Sequence, residues 1–287
     1  MMAAVFAARQ GGKVHLLEKN EKLGKKLFIT GKGRCNLTNA ADIGELFNAV
    51  VSNPKFLYSS FYSFTNDQTI DFFEELGVKT KVERGGRVFP QSDHSSDVIS
   101  ALSRELSRLG VEVSLNTKVK ELIVEEGRVT GVLLASGKKM VSDAVIVASG
   151  GISYPSTGST GDGYRFAKEC GHKVTELLPS LVPMEVKEWY AKELMGLSLR
   201  NIEIRITDGT KKLYEEFGEM LFTHYGVTGP VILSASSVVG KGLKKKELTL
   251  HIDLKPALTE EQLDRRVLRE FEANQNRQFK NSVDSLF

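Results

Sequence analysis

The sequence contains little cysteine, and its two cysteines form no motif. Cys35 and Cys170 lie far apart among 287 residues, and neither belongs to a C-x-x-C pair. This excludes a disulfide framework and a dithiol redox centre, and it favours a reducing, cytoplasmic environment. The five histidines show no metal-ligand spacing with cysteines or carboxylates, so we predict no metal site.

Long apolar runs and several signature motifs are also missing. No apolar stretch reaches the roughly 18–20 residues of a membrane helix. Residues 1–8 are apolar but lack the basic region and cleavage site of a secretory signal. There is no G-x-x-x-x-G-K-[ST] loop and no G-x-S-x-G elbow after a strand, which argues against an NTPase and a serine hydrolase. We therefore expect no membrane partner.

The composition that remains is ordinary for a globular protein with a small positive charge. The 39 Lys and Arg residues exceed the 36 Asp and Glu residues, which gives a formal net charge of +3. The length leaves room for about two domains. A basic tract such as the lysines at 244–246 permits contact with phosphate, but such a tract is more often a solvated turn.

The most informative stretch is KVHLLEKNEKLGKKLFITGKGRCNLTN, residues 13–39. A short apolar strand over residues 14–17 ends at Glu18, where a dinucleotide-binding fold presents a carboxylate to a ribose 2′-hydroxyl. The loop over residues 31–36 follows and supplies backbone N–H groups and positive charge for a pyrophosphate. The alternative is a surface carboxylate at the end of a strand, followed by solvated charge.

Four cations and one cysteine belong to this loop region. Lys25, Lys26, Lys32 and Arg34 lie around small Thr and Gly residues, which predicts a phosphate cradle. Cys35 in such a cationic loop could have a lowered pKa and react as a thiolate. A small residue fitted beside a cofactor is the more frequent role.

A helix over residues 1–10 precedes the first strand. In a βαβ unit, a strand and a G-x-G-x-x-G turn would precede such a helix. Neither is present, so either the N-terminus is truncated or an unusual edge covers this helix.

Residues 40–110 are predicted to form an α+β insertion. Asp42 and Glu45 have the spacing of a capping box that opens a helix, which Asn53 and Pro54 would end. The aromatic residues at 56–64 could line a cavity, but ordinary helix packing is the better interpretation. Helices are predicted over residues 67–76 and 97–109, each followed by Gly, with a hairpin at residues 85–86.

Strands predominate from residue 111 to residue 147. We predict them over residues 111–115, 118–124, 129–134 and 140–147, as a β-meander whose last strand runs into Ala148-Ser149-Gly150-Gly151. Small residues there would let the backbone approach a ligand. The Ser-, Thr- and Gly-rich loop over residues 153–163 then opens a helix over residues 164–170, and its length favours a lid or a phosphate-facing loop over a simple cap.

A second, β-rich domain is expected after Pro179 and Pro183. Strands are predicted over residues 201–206, 213–217, 220–223 and 248–254, with a turn at residues 208–209 and a capped helix from Thr259. His224 and Tyr225 could donate protons to a reduced substrate. A purely structural role in a Gly/Pro turn is an equal alternative.

Five segments in this order resemble one family, the BaiN/YhiN-like FAD-dependent oxidoreductases, which include aminoacetone-oxidase-like flavoproteins. The segments are LLEKNEKLGKKLFITGKGRCNLTN, GRVFPQSDHSSDVISAL, IVASGGISYPSTGSTGDGYRFA, PSLVP and GEMLFTHYGVTGPVILSAS. The resemblance implies an α/β fold with a Rossmann-like FAD domain of the glutathione-reductase type, incomplete here. It also implies an inserted β-barrel domain and the start of a helical subdomain. The expected boundaries are 1–180, 181–256 and 257–287.

The resemblance also implies roles for individual residues. Glu18, with Lys19 beside it, would bind the ribose, and Val119 would meet the adenine through its backbone. His224, Tyr225 and Gly226 would face the substrate. The FAD phosphates and flavin would be lined by Thr30, Gly31, Gly33, Arg34, Cys35 and Asn36, with Ala148, Ser149, Gly150 and Gly151 beside the cofactor.

The activity implied is hydride transfer from reduced FAD to an electron-poor C=C bond. The substrate would be an enone, as in bile-acid intermediates, or a uridine of ribosomal RNA, and NAD(P)H could be the electron donor. An amine oxidase is the other enzymatic alternative. A catalytically silent FAD-fold or RNA-binding fragment is the non-enzymatic one.

Overall fold

The computed structural model describes residues 1–276 and 278, which divide into two compact units. The first unit spans Met1–Thr175, and the second begins at Glu176. The three-domain boundaries expected from the resemblance stay a prediction. Among the described residues, no helix combines the length and hydrophobicity that a membrane span needs.

The first unit alternates helices with short strands. Its helices are α1 (Met2–Arg9), α2 (Lys25–Ile29), α3 (Ile43–Asn48), α4 (Tyr58–Ser63), α5 (Asn66–Glu75), α6 (Ser95–Arg108) and α7 (Asp162–Glu169). Its strands are β1 (His15–Leu17), β2 (Thr38–Asn39), β3 (Thr80–Glu83), β4 (Arg87–Pro90), β5 (Glu112–Ser114), β6 (Val119–Glu125), β7 (Arg128–Leu134) and β8 (Lys139–Val141). They form a parallel β1–β5 pair and two antiparallel sheets, β2–β4–β3 and β6–β7–β8.

The core of the first unit lies between α1, α5 and α6. Val5 of α1 is fully buried, and Phe6 stacks on Phe72 of α5 with ring centroids 5.2 Å apart. Leu102 and Leu106 of α6 belong to the same core. Residues from the segment expected as an insertion therefore share one hydrophobic core with the first helix.

The second unit is a five-stranded sheet with helices. Its sheet has the order β13–β10–β11–β12–β9. Ile202, Ile204 and Ile206 alternate along one strand and are buried, as expected for a half-buried strand packed under a helix. The elements are α8 (Tyr190–Glu193), α9 (Pro230–Leu243), α10 (Glu260–Ala273), β9 (Met184–Glu185), β10 (Ser198–Asp208), β11 (Lys211–Thr223), β12 (Gly226–Thr228) and β13 (Thr249–Asp253).

Several helix and turn signals are confirmed. Gly77 and Gly110 follow α5 and α6 in the left-handed region, with φ of 84° and 68°. Gly209, with φ of 56°, lies in the turn between β10 and β11. Thr259 forms the capping box of α10 with Gln262. In contrast, the capping box predicted at Asp42 does not form, and α3 ends at Asn48, before Asn53.

The strand predictions need three corrections. The run over residues 143–148 is not a strand: Ile146 is 65% exposed, and no strand of the described chain pairs with it. A strand without a neighbour leaves its backbone groups unpaired, so periodicity alone could not establish it. The strand predicted at 111–115 joins β1 in parallel rather than the meander. The two strands predicted within 213–223 are one continuous strand, β11, and α9 was not predicted.

The aromatic segment over residues 56–64 does not pack as an ordinary buried helix. α4 contains no buried residue, and Phe56 and Tyr62 are 78% and 60% exposed. Tyr58 stacks on Phe47 of α3 with centroids 4.4 Å apart. Only Phe64, which contacts Phe6 and Phe72, joins the core. The packing prediction is therefore wrong for most of this segment.

Candidate functional site

Glu18 lies at the carboxyl end of the parallel β1–β5 pair. Its N–H donates to the Ser114 carbonyl at 2.9 Å, and its own carbonyl accepts from the Thr117 N–H at 2.8 Å. Thr117 is two residues before Val119, which begins β6. The fold thus brings Glu18 close to the beginning of β6, at the sheet edge where α/β folds bind ligands.

The Glu18 carboxylate is held by one of its two oxygens. Glu18 Oε1 accepts from the Asn20 backbone N–H at 2.9 Å and from Asn20 Nδ2 at 2.8 Å. Asn20 Nδ2 also donates to the Thr157 carbonyl at 3.1 Å. In the described part of the chain, no donor makes a hydrogen bond to Glu18 Oε2. This oxygen can therefore accept a hydrogen bond from a ligand hydroxyl.

Lys19 attaches the same strand end to the loop over residues 153–163. Lys19 Nζ lies 2.6 Å from both Thr160 Oγ1 and Asp162 Oδ2, and the Lys19 and Asp162 side chains are 21% and 16% exposed. Burial by itself would raise the pKa of Asp162, but the hydrogen bond and charge of Lys19, with the Thr160 hydroxyl and the charge of Arg165, together outweigh it and lower that pKa. The structure gives Lys19 a loop-anchoring contact, while its contact with a cofactor stays a prediction.

The backbone at Ser149, Gly150 and Gly151 packs against this loop. A Cβ atom on Gly150 would lie 2.9 Å from Ser159 Oγ, and Gly161 N–H donates to the Gly151 carbonyl at 3.0 Å. Ser149 Oγ is buried and has no hydrogen-bond partner among the residues that the structure describes. A Cβ on Gly163, in the first turn of α7, would approach it to 3.0 Å. This orphan hydroxyl can serve a ligand at the helix N-terminus.

The loop over residues 30–36 has a strained backbone. Lys32 and Cys35 are not glycine, yet both have left-handed φ angles, 59° and 61°. Such conformations cost about 1–3 kcal/mol each and cluster at ligand sites. Thr30 begins the loop, and its hydroxyl donates to the Lys26 carbonyl at 2.9 Å. Gly31 and Gly33 are also left-handed, a backbone that can turn N–H groups toward an anion.

The cations of this region do not form one open cradle, which corrects the sequence prediction. Lys25 pairs with Glu21 at 3.3 Å, and Lys26 donates to the Ser153 carbonyl. Arg34 binds Glu83 and, at 2.7 Å, Asp93, with its guanidinium 4.2 Å from the Phe89 ring centroid. Lys32 is the exposed cation of the four.

Cys35 is buried, whereas Asn36 is exposed and contacts backbone carbonyl groups through its amide. Cys35 is 1% exposed, and burial raises the pKa of its thiol to about 11, so the thiol is protonated at neutral pH. The reactive-thiolate alternative is therefore wrong. The Asn36 amide nitrogen lies 3.2 Å from the Val88 carbonyl and 3.0 Å from the Thr38 carbonyl, in the orientation that satisfies it.

In the second unit, His224 and Tyr225 form the two-residue turn between β11 and β12. Thr223 Oγ1 accepts from the backbone N–H groups of Tyr225 at 3.4 Å and Gly226 at 3.1 Å, which stabilises the turn. The two rings meet edge to face with centroids 4.6 Å apart, and both side chains are exposed. Gly226 lets β9 approach, since its Cβ would lie 2.1 Å from the Met184 carbonyl oxygen.

Sequence reasoning missed the residues that connect these segments. Asn20 lies two residues after Glu18, the spacing of a local side-chain-to-backbone turn, so a local signal for it existed. The sequence favoured a functional loop over residues 153–163, but no signal paired Thr157, Thr160 or Asp162 with this strand end, which lies 137 to 143 residues away. Among residues 1–276 and 278, no group of three or more His, Cys, Asp or Glu side chains could hold a metal ion.

Comparison with known proteins agrees with the family resemblance that the sequence motifs predicted. A family profile described as HI0933-like protein Rossmann domain matches residues 1–251. The chain is 34% identical over 266 residues to a 3-dehydro-bile acid delta(4,6)-reductase of Clostridium scindens, covering 92% of this chain and 64% of that protein. It is 28% identical over 239 residues to a ribosomal RNA dihydrouridine synthase of Haemophilus influenzae, covering 83% of this chain and 58% of that protein. The chain thus spans about three fifths of the length of these curated relatives.

Solved structures show more distant similarity. The open conformation of a flavocytochrome c3 fumarate reductase aligns with a TM-score of 0.45 and 19% identity, over 69% of this chain and 44% of that one. L-proline dehydrogenase from P. horikoshii aligns with a TM-score of 0.36 and 14% identity, over 87% of this chain and 76% of that one.

Proposed function

The chain belongs to the HI0933-like Rossmann family of FAD-dependent oxidoreductases, and from this we propose that its first unit holds the adenosine half of FAD through Glu18. The observation that carries the proposal is the Glu18 carboxylate. One oxygen is fixed by Asn20, and the other accepts no hydrogen bond within the described chain. A carboxylate at the end of a parallel strand is the group that binds a ribose hydroxyl in dinucleotide folds.

Other features of the first unit fit an FAD molecule. The buried Ser149 hydroxyl, beside the N-terminus of α7, has no hydrogen-bond partner in the described chain, and a phosphate oxygen there could accept from it. The left-handed backbone at Lys32 and Cys35 is strain of the kind found at ligand sites. We assign the cofactor contacts to Glu18, Lys19, Thr30, Gly31, Gly33, Cys35, Asn36, Val119, Ala148, Ser149, Gly150 and Gly151, and we leave out Arg34, whose guanidinium binds Glu83 and Asp93.

The reaction we propose is reduction of a C=C bond conjugated to a carbonyl group. Bound FAD supplies hydride chemistry, and the protein supplies binding, orientation and proton transfer. His224 and Tyr225 are proposed as the proton donors, because both rings are exposed and in contact at one hairpin turn. The names of the relatives, a delta(4,6)-reductase and a dihydrouridine synthase, support this bond type. NAD(P)H is the proposed electron donor.

A small-molecule enone is the substrate class that the surface charge favours. The basic tract at 244–246 is a sequence feature that would suit an RNA substrate. Lys244 forms an ion pair with Glu176, and Lys246 forms one with Asp208. Pairing with carboxylates reduces the charge available for phosphate contacts.

We also propose that the five-stranded sheet of the second unit belongs to an inserted substrate barrel, on a FAD domain of the glutathione-reductase type.

FAD binding by Glu18 can be tested by titrating the purified chain with FAD and following flavin fluorescence. Glu18→Ala removes a charged hydrogen-bond acceptor and should weaken FAD binding about tenfold to a hundredfold. Glu21→Ala is the matched control, because Glu21 is an exposed acid three residues away that pairs with Lys25. Equal affinities for wild type and Glu18→Ala would refute the assignment.

The reaction itself can be tested with reduced flavin and two substrates without oxygen. We expect turnover of a cyclic enone and none of the matching alkene that lacks the carbonyl group. His224→Gln and Tyr225→Phe should each slow the enone reaction about a hundredfold, the typical contribution of a positioned proton donor, without changing FAD affinity. In a separate assay that starts from oxidised flavin, oxidation of a free amine, with no reduction of the enone in the first assay, would overturn the proposed reaction.

A further inference from the structure

Asn20 connects three segments of the chain around the proposed ribose site. Its amide nitrogen has two hydrogens: one is donated to Glu18 Oε1 at 2.8 Å and the other to the Thr157 carbonyl at 3.1 Å. Its backbone N–H donates to the same carboxylate oxygen at 2.9 Å. Its carbonyl accepts from the Asn116 N–H at 2.9 Å. Both the backbone and the side chain of Asn20 are therefore fixed by hydrogen bonds.

The loop over residues 153–163 packs closely against the Asn20 amide. A Cβ on Gly158 would lie 2.5 Å from Asn20 Nδ2, and Gly158 has a left-handed φ of 97°. No side chain other than hydrogen fits there without moving Asn20. The Lys19–Asp162 ion pair ties the same loop to the preceding residue. Two consecutive residues of the strand end thus hold one distant loop.

An amide is the group that this position requires. Both partners of the Asn20 side chain are acceptors, a carboxylate oxygen and a carbonyl oxygen. An aspartate of the same shape offers no donor at neutral pH and places a second negative charge beside Glu18. The carboxylate of Glu18 would then turn away or lose its fixed orientation.

We infer that Asn20 is a positioning residue for adenosine recognition: it fixes the Glu18 carboxylate by one oxygen, so that the other faces the ribose 2′-hydroxyl, and ties the 153–163 loop to the same point. This inference rests on the proposed binding of FAD. It deepens that proposal by stating which residue gives the chain its preference for an unmodified ribose.

The test compares two ligands, FAD and an FAD analogue that lacks the 2′-hydroxyl of its adenosine ribose. Dissociation constants are measured for wild type, Asn20→Asp, Asn20→Ala and Gly158→Ala, the last of which pushes the amide from the loop side. Asn48→Ala is the control, because Asn48 is an exposed asparagine of α3. Circular dichroism confirms the fold of each variant before titration.

Wild type and Asn48→Ala should bind FAD about tenfold more tightly than the analogue, the value of one hydrogen bond to a charged group. The Asn20 variants and Gly158→Ala should retain a preference of no more than about threefold. A preference unchanged in all three variants, with both ligands weakened equally, overturns the inference and leaves Asn20 a structural role. A wild-type chain that binds FAD and the analogue equally overturns it too, although FAD binding stands. If wild type binds neither ligand, the proposed function fails first.

Discussion

Glu105 is a carboxylate within the core of the first unit, with its side chain 5% exposed. Arg108 Nε lies 2.7 Å from Oε2, and Arg9 Nη2, from α1, lies 2.8 Å from Oε1. The hydrogen bond from Arg108 is the strongest influence on the pKa of Glu105. Burial opposes it and Arg9 adds to it, so the pKa falls from 4.5 to about 2. This ion pair connects α1 to α6.

Removing the charge of Glu105 should destabilise the protein. Glu105→Gln leaves two arginines facing a neutral amide, and breaking a buried ion pair costs about 3–5 kcal/mol. Urea denaturation should show the loss as a lower free energy of unfolding. Glu75→Gln is the control: Glu75 contacts the same Arg9 at 3.3 Å but is 68% exposed, so we expect a loss of less than about 1 kcal/mol. Equal losses in the two variants would contradict the buried role.

The same residue predicts a pH dependence. A carboxylate whose pKa is lower in the folded state stabilises the protein above its ordinary pKa and loses that contribution as the pH falls. For Glu105 the loss should occur between pH 4.5 and about pH 2. The difference in unfolding free energy between wild type and Glu105→Gln should therefore shrink across this window. A constant difference from pH 7 to pH 2 would show that Glu105 keeps an ordinary pKa.

The β9–β12 pair of the second unit depends on a close backbone approach at Gly226. A Cβ there would lie 2.1 Å from the Met184 carbonyl oxygen. Because this oxygen belongs to the backbone, it cannot move away as a flexible side chain could. Gly226→Ala should lower the free energy of unfolding by about 1–3 kcal/mol, the usual cost of overpacking. In contrast, Gly242 lies in α9, and a Cβ there would make only an ordinary contact, at 3.8 Å from Leu248 Cδ1. Gly242→Ala should therefore raise the free energy of unfolding by about 0.5–1 kcal/mol. Thermal unfolding distinguishes the two signs.

The short helices α3 and α4 form an aromatic surface rather than a core. Phe56, just before α4, is 78% exposed, whereas Phe72 of α5 is 4% exposed and stacks on Phe6 of α1. Phe56→Ala should change the free energy of unfolding by less than about 0.5 kcal/mol. Phe72→Ala should cost about 3–5 kcal/mol. Comparable losses in a denaturant titration would show that the segment is packed after all.

At the scale of the whole molecule, FAD should stabilise the folded chain by mass action. A ligand that binds only the folded state, at a hundred times its dissociation constant, adds about 2.7 kcal/mol to the free energy of unfolding. Differential scanning calorimetry with and without FAD should show this as a higher melting temperature. Glu18→Ala, with FAD binding weakened tenfold to a hundredfold, should reduce this gain to about 1.4–0.4 kcal/mol at the same FAD concentration. Glu21→Ala should keep it, because Glu21 pairs with Lys25 on the exposed surface.

The sequence alone was sufficient to predict local features of the chain and its family. Gly77 and Gly110 ended their helices, Thr259 and Gln262 formed a capping box, and Glu18 stood at a strand end, because each depends on residues within a few positions. The ordered motifs were enough to identify the family, which the profile match over residues 1–251 confirms.

Tertiary structure decided which groups meet. Asn20 met Thr157, and Lys19 met Asp162, across separations of 137 and 143 residues. Glu83 and Asp93 took up Arg34, which a local pattern had assigned to phosphate. The run at residues 143–148 has the composition of a strand but no neighbouring strand among the described residues. The physical reason is common to these cases: a charge, a donor or a strand is completed by a partner that only the folded chain brings to it.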